Sequence, residues 1–128
     1  PDTVELVTAG RLQREGDSYT LSYQESETTG LEGTLTTIRV EPEQVTLLRV
    51  GEFNSQMVFQ EGRRHLSMYN TPYGAMAIGV NTRRLSAQLD EAGGDIEIDY
   101  ALEVDHAVAG RNSFQINVKE AEGASLKQ

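Results

Sequence analysis

Two charged side chains fall in the apolar phase of their strands, and they are the residues best placed to do chemistry. Arg49 shares a phase with Val45 and Leu47, and Glu25 shares one with Tyr19, Leu21 and Tyr23. Residues two apart on a strand share a face. Both charges are therefore expected to point into whatever the strands enclose. A buried guanidinium needs a partner, because an unpaired buried charge is very costly. Two arrangements meet that need. In one, Arg49 clamps a carboxylate or phosphate in a lumen, helped by Glu25 and oriented by Tyr23, Tyr69, Thr71 or Tyr100. In the other, Arg49 and Glu25 plug the floor of the lumen and the tyrosines satisfy their spare lone pairs. Tyrosine, with an apolar body and one polar tip, suits a cavity wall or an ordinary core. Alternation alone does not choose between them. Nor does it choose which face of Val45–Val50 turns inward, because Leu48 and Val50 occupy the other phase.

The remaining candidates point elsewhere. Asp95, Glu97 and Asp99 alternate with Ile96, Ile98 and Tyr100, so these carboxylates are expected on a solvated face. A basic neighbour such as Arg83 or Arg111 would relieve their crowding. His65 and His106 are the only histidines and there is no cysteine, so no metal site is expected. There is no Gly-x-Ser-x-Gly elbow, Walker motif or Gly-x-Gly-x-x-Gly loop. The sequence supports no catalytic residue and no cofactor. A net charge of −9 argues against nucleic acid and anionic membrane, which need a basic footprint. No run spans a bilayer and no basic-then-apolar leader opens the chain, which leads to the expectation of a cytoplasmic protein.

The elements that would position these residues are strands. Period-2 alternation, broken every 8 to 12 residues by Gly, Pro, Asn or Asp, predicts an antiparallel meander of about nine strands in one domain, 1–128. The expected strands are Thr3–Gln13, Ser18–Glu27, Thr34–Glu41, Val45–Val50, Ser55–Gln60, Arg64–Thr71, a long strand through Thr82, Asp95–Asp105 and Asn112–Glu120. A turn is expected around Gly110, and a frayed tail over 121–128. Met76, Ile78 and Val80 share a core-facing phase, but Leu85, Ala87 and Leu89 occupy the opposite one. Both sets face inward only if a residue is inserted between them, which predicts a β-bulge within Asn81–Arg84. Ala75, Ala77 and Gly79 form a smooth strip on the other face, which would suit strand curvature or a homodimer contact. A strip of sheet apolar on one face must close or fold over. The economical form is an up-and-down barrel.

The ordered segments Leu21–Glu25, Thr36–Val40, Val45–Gly51, Met57–Phe59, Tyr69–Gly74 and Ile96–Tyr100 carry a resemblance. The chain resembles the YwiB-like family of uncharacterised bacterial proteins. That resemblance implies an all-β, closed, mostly antiparallel calycin-like (lipocalin-like) β-barrel, and it brings no activity with it. The leading functional expectation is a small molecule, anionic in character, bound in or at the mouth of the barrel by a non-enzymatic protein. The alternatives are a protein-interaction module with a filled barrel and, last, an enzyme using Glu25, Arg49 and a tyrosine.

Overall fold

The computed structural model describes residues 5–51, 54–71, 74–104 and 107–120, with the backbone alone for 68–71. The strands are β1 (Gly10–Glu15), β2 (Ser18–Gln24), β3 (Thr34–Glu41), β4 (Gln44–Gly51), β5 (Ser55–Phe59), β6 (Arg64–Thr71), β7 (Gly74–Asp90), β8 (Gly93–Val104) and β9 (Ala107–Lys119). One short 3-10 turn, Glu27–Thr29, interrupts them. Each strand pairs antiparallel with its sequence neighbours, in the spatial order β1 to β9. The all-β meander read from the sequence is the observed architecture.

The registers stack the inner face into layers. Tyr19, Val40, Val45 and Phe59 lie across β2 to β5 at one level. Leu12, Leu21, Ile38, Leu47 and Met57 lie across β1 to β5 at the next. Ile38, Val45 and Phe59 are fully buried, and Val80, Ile96 and Ile98 join the same core from β7 and β8. A flat nine-stranded strip would hold β1 and β9 roughly 38 Å apart, given the 4.7–4.9 Å strand spacing. Yet Leu12 of β1 and Phe114 of β9 pack against one cluster. The strip is therefore strongly curled.

Hydrogen-bonded closure is where expectation and structure part. Among the described residues no ladder joins β1 to β9, so the sheet is a curled strip with two edges and not the closed barrel expected. The first strand is also shorter than read: residues 5–9 lie outside it, with Val7 99% exposed. Of the apolar phase expected there, Leu6 is half-buried and Thr8 exposed, too little burial to hold that stretch in register.

The expected bulge is present. Thr82 pairs with Tyr100 and Arg84 with Asp99, leaving Arg83 as the extra residue. It lets Val80 and Thr82, fully buried, and Leu85 and Leu89, half-buried, all turn inward, while Ala87 is exposed. The β5–β6 loop satisfies the backbone freed there. Gly62 N–H donates to Thr82 O at 2.9 Å, Thr82 N–H to Arg63 O at 3.1 Å, and Leu85 N–H to Glu61 Oε1 at 2.9 Å.

Three further readings need correction. Met76 has the phase of Ile78 and Val80 but is 44% exposed. Its stretch of β7 precedes Gly79↔Glu103, where the β8 ladder begins, so among the described residues β8 does not pair with it. Gly79 does not belong to an open smooth strip. The Arg64 guanidinium lies over it, 2.7 Å from where a Cβ would sit, and pairs with Glu103; Ala75 and Ala77 remain exposed. Ala107–Arg111 is strand, not turn: β9 starts at Ala107, and the register slips near Gly110, which pairs with Leu102 while Val108 pairs with Glu103. A glycine at such a slip is expected. The tail 121–128 and His106 lie outside the described residues.

Candidate functional site

The next layer up the inner face is polar. Tyr23 pairs with Thr36, Thr36 with Arg49, and Arg49 with Ser55. It sits two residues along each strand from the Leu21-Ile38-Leu47-Met57 layer, or about 6–7 Å at the usual strand rise. The inner face of β4 is thereby settled: Val45 and Leu47 are buried, Arg49 is half-buried, and Leu48 and Val50 face solvent.

Glu25 follows β2 and is held in this layer by its own backbone, with Glu25 N–H donating to Thr34 O at 2.9 Å. The chain then turns sharply. Ser26 caps the 3-10 turn by accepting from Thr28 N–H at 3.2 Å, and Gly30 closes it in the left-handed conformation at φ 76°. This turn swings Thr29 back over the carboxylate. Thr29 donates to Glu25 Oε1 at 2.8 Å and Thr36 donates to Oε2. Two hydroxyls thus satisfy a carboxylate that is 93% withdrawn from solvent, since Glu25 is 7% exposed. Arg49 adds charge but not a hydrogen bond, its Nε lying 3.7 Å from Oε2. That Nε is buried and has no hydrogen-bond partner among the described residues, and the same holds for Ser67 Oγ and Thr82 Oγ1.

The cluster opens on a cleft of ≈ 1900 Å³ whose walls include Tyr23, Glu25, Thr29, Arg49 and Tyr100 and whose rims are β1 and β9. Five cationic side chains, Arg49, Arg83, Arg84, Arg111 and Lys119, line it against five carboxylates. The whole chain carries eleven cations against twenty carboxylates. The cleft is thus charge-balanced within an acidic protein.

Of the residues singled out from sequence, Arg49, Glu25 and Tyr23 come together. Tyr100 lines the same cleft but stacks edge-on against Phe59, ring centroids 5.0 Å apart. The side chains of Tyr69 and Thr71 lie outside the description, although the Tyr69 backbone pairs with Ser55, next in line to Arg49. Sequence reasoning missed Thr29 and the bonding role of Thr36. Thr36 was legible as an inward residue; Thr29 reaches the site through a turn that alternation does not encode. Asp95 and Glu97 are exposed, as their phase implies. Asp99 is half-exposed, faces Arg84 in register and accepts from Ser113 at 2.7 Å, while Asp95 accepts from Asn117 at 2.7 Å. His65 Nε2 lies 3.1 Å from Gln60 Oε1. Among the described residues no three metal-ligating side chains converge.

Burial, together with the Glu25 charge, pushes the Tyr23 phenol up from 10.0 to about 12, with Arg49 pulling it back in part. The folded protein then keeps a proton that the unfolded chain has released between those two values. Stability is expected to fall as the pH rises from 10 to about 12. Ultraviolet titration of the phenolates checks this: Tyr23→Phe removes the latest step, and an unchanged late step refutes the assignment.

A family model described as a domain of unknown function (DUF1934) matches residues 1–116. The chain belongs to this family. A solved structure, the crystal structure of the YwiB protein from Bacillus subtilis, superposes with a TM-score of 0.73 at 23% identity, covering 88% of this chain and 75% of that one. At that identity the likeness speaks for the fold. No curated protein matches. Membership in DUF1934, a domain of unknown function, leaves the chemistry to the residues themselves. No helix among the described residues is long and apolar enough to cross a membrane.

Proposed function

We propose that this DUF1934 protein is a non-enzymatic, cytoplasmic binding protein whose strands curl into an open, calycin-like wall around a lumen. Its ligand is a small anion carrying a carboxylate or phosphate, held at the mouth of the lumen by Arg49. The observation that carries the reading is the Arg49 Nε–H: buried, without a hydrogen-bond partner among the described residues, on the wall of the cleft. A donor left unmade in this way costs about 1–3 kcal/mol, and an anionic oxygen would recover it. Glu25 does not compete for it, since two threonine hydroxyls already serve that carboxylate. Instead Glu25 offsets the desolvation of the guanidinium while the cleft is empty and fixes its position. The charge-balanced lining supports the same reading, because it spares an incoming anion the repulsion met elsewhere on a −9 protein.

The test is Arg49→Met, titrated by calorimetry with inorganic phosphate and with citrate beside the unsubstituted protein. The native chain is expected to bind at least one of them. The variant is expected to lose that binding at least ten-fold and, because two threonine hydroxyls still serve Glu25 when its charge partner goes, to lose less stability than the about 3–5 kcal/mol of a buried charge left wholly unpaired. A variant that loses 3 kcal/mol or more, with no anion response in the native chain, makes the pair a structural plug.

A second reading has one observation in its favour. The outer face of β3 and β4 exposes Leu35, Leu48 and Val50, and Leu35 stands directly opposite Val50. Exposed apolar groups gathered in this way suit a protein-interaction module. Loss of every anion response together with concentration-dependent self-association that Leu48→Asp abolishes favours it.

A further inference from the structure

We propose that the seam between β1 and β9 accepts one extended strand of a partner chain, apolar at alternate inward positions and acidic at the outward ones. The inference rests on the two edges and not on Arg49.

The ladder ends at β1 on one side and at β9 on the other. Each edge presents backbone N–H and C=O groups that no neighbouring strand satisfies among the described residues, and such an edge is a template for strand addition. The edges are not remote from one another, because both line the same cleft. Between them runs a row of inward side chains at period 2. Leu12, Phe114, Ile116 and Val118 touch the core yet are only half-buried. A strand laid in the seam would cover that row from its open side with its own alternate side chains. It would also pair on both of its edges and complete the wall of the lumen.

Charge selects among strands. In the phase opposite to its inward Phe114, Ile116 and Val118, β9 carries Arg111 and Lys119 and no Asp or Glu, and opposite to Leu12 β1 carries Arg11 against Glu15, while Arg14 shares the phase of Leu12 and pairs with Glu91. The cleft as a whole is charge-balanced, but on a chain of net charge −9 the outward positions of the two edge strands are net basic. Opposite charge across strand neighbours favours pairing and like charge opposes it. An outward row of Asp or Glu therefore fits.

A synthetic capped peptide copying 95–104 has this chemistry, with Ile, Ile, Tyr and Leu alternating against Asp, Glu, Asp and Glu. Added to the intact chain, it is expected to bind one to one. At saturation the amides of 10–15 and 107–119 on the seam side are expected to exchange with deuterium at least ten-fold more slowly. Because an inserted strand pairs on both edges, N-methylating either alternate set of peptide nitrogens is expected to abolish binding. Lysine at the four acidic positions is expected to weaken it at least ten-fold in low salt. The proposal fails if the seam amides of the free protein already exchange as slowly as those of β3. It also fails if the peptide leaves them unchanged, or if the N-methylated or lysine peptide binds equally well. None of these outcomes depends on Arg49, so they are separable from the anion titration.

Discussion

Glu25→Ala is expected to lower the free energy of unfolding by about 3–5 kcal/mol, the usual cost of removing one member of a buried, hydrogen-bonded charge pair. The substitution strands several groups together. Thr36 is fully buried and loses its acceptor, Thr29 keeps only Ser26 O, and Arg49 loses the charge beside it. Glu25→Gln keeps the shape and one acceptor oxygen, so it should lose less. Adding Arg49→Met to Glu25→Ala removes the orphaned cation and should restore at least about 1 kcal/mol. Urea denaturation of the four proteins measures all of this. A Glu25→Ala loss below 1 kcal/mol would mean that water reaches the cluster and that the polar layer is not a sealed one.

The second large effect lies in the β7–β8 turn. Asp90 Oδ1 accepts from Ala92 N–H at 2.8 Å, and the chain returns through Gly93 and Gly94 at φ 131° and 145°. Side chains rarely adopt that backbone, and here there is no space for one either. A Cβ on Gly94 would lie 1.9 Å from Gln88 O. Gly94→Ala is expected to combine about 1–3 kcal/mol of backbone strain with about 1–3 kcal/mol of overlap. Thermal unfolding should register it as one of the most damaging alanine substitutions in the chain. A loss under 1 kcal/mol would show that the hairpin re-forms in another register.

How far the sequence could be read follows from where period-2 logic holds. It holds between neighbours paired on both sides. That is why the inward positions of Tyr23, Glu25, Thr36 and Val80, and the bulge before Leu85, were all legible. It fails where a strand loses a neighbour. Met76 has a core-facing phase but lies beyond the β8 ladder. Residues 5–9 alternate but add no strand. It also fails where a residue arrives through a turn, as Thr29 does. The inward orientation of Arg49 rested on choosing between two apolar phases of β4, and only its pairing with Thr36 decides it. The closed barrel was inferred from the need to bury one face; curling meets that need without a ladder between β1 and β9.

The strict neighbour-to-neighbour order of the sheet also bears on how the chain finds its structure. No pairing requires two segments distant in sequence to meet first; every ladder grows from a hairpin whose connection is already short. The entropy of closing each such loop is small, and local pairings of this kind favour fast folding for an all-β topology. Only the approach of β9 to β1 spans the length of the chain, and it comes last, after eight hairpins have been laid side by side.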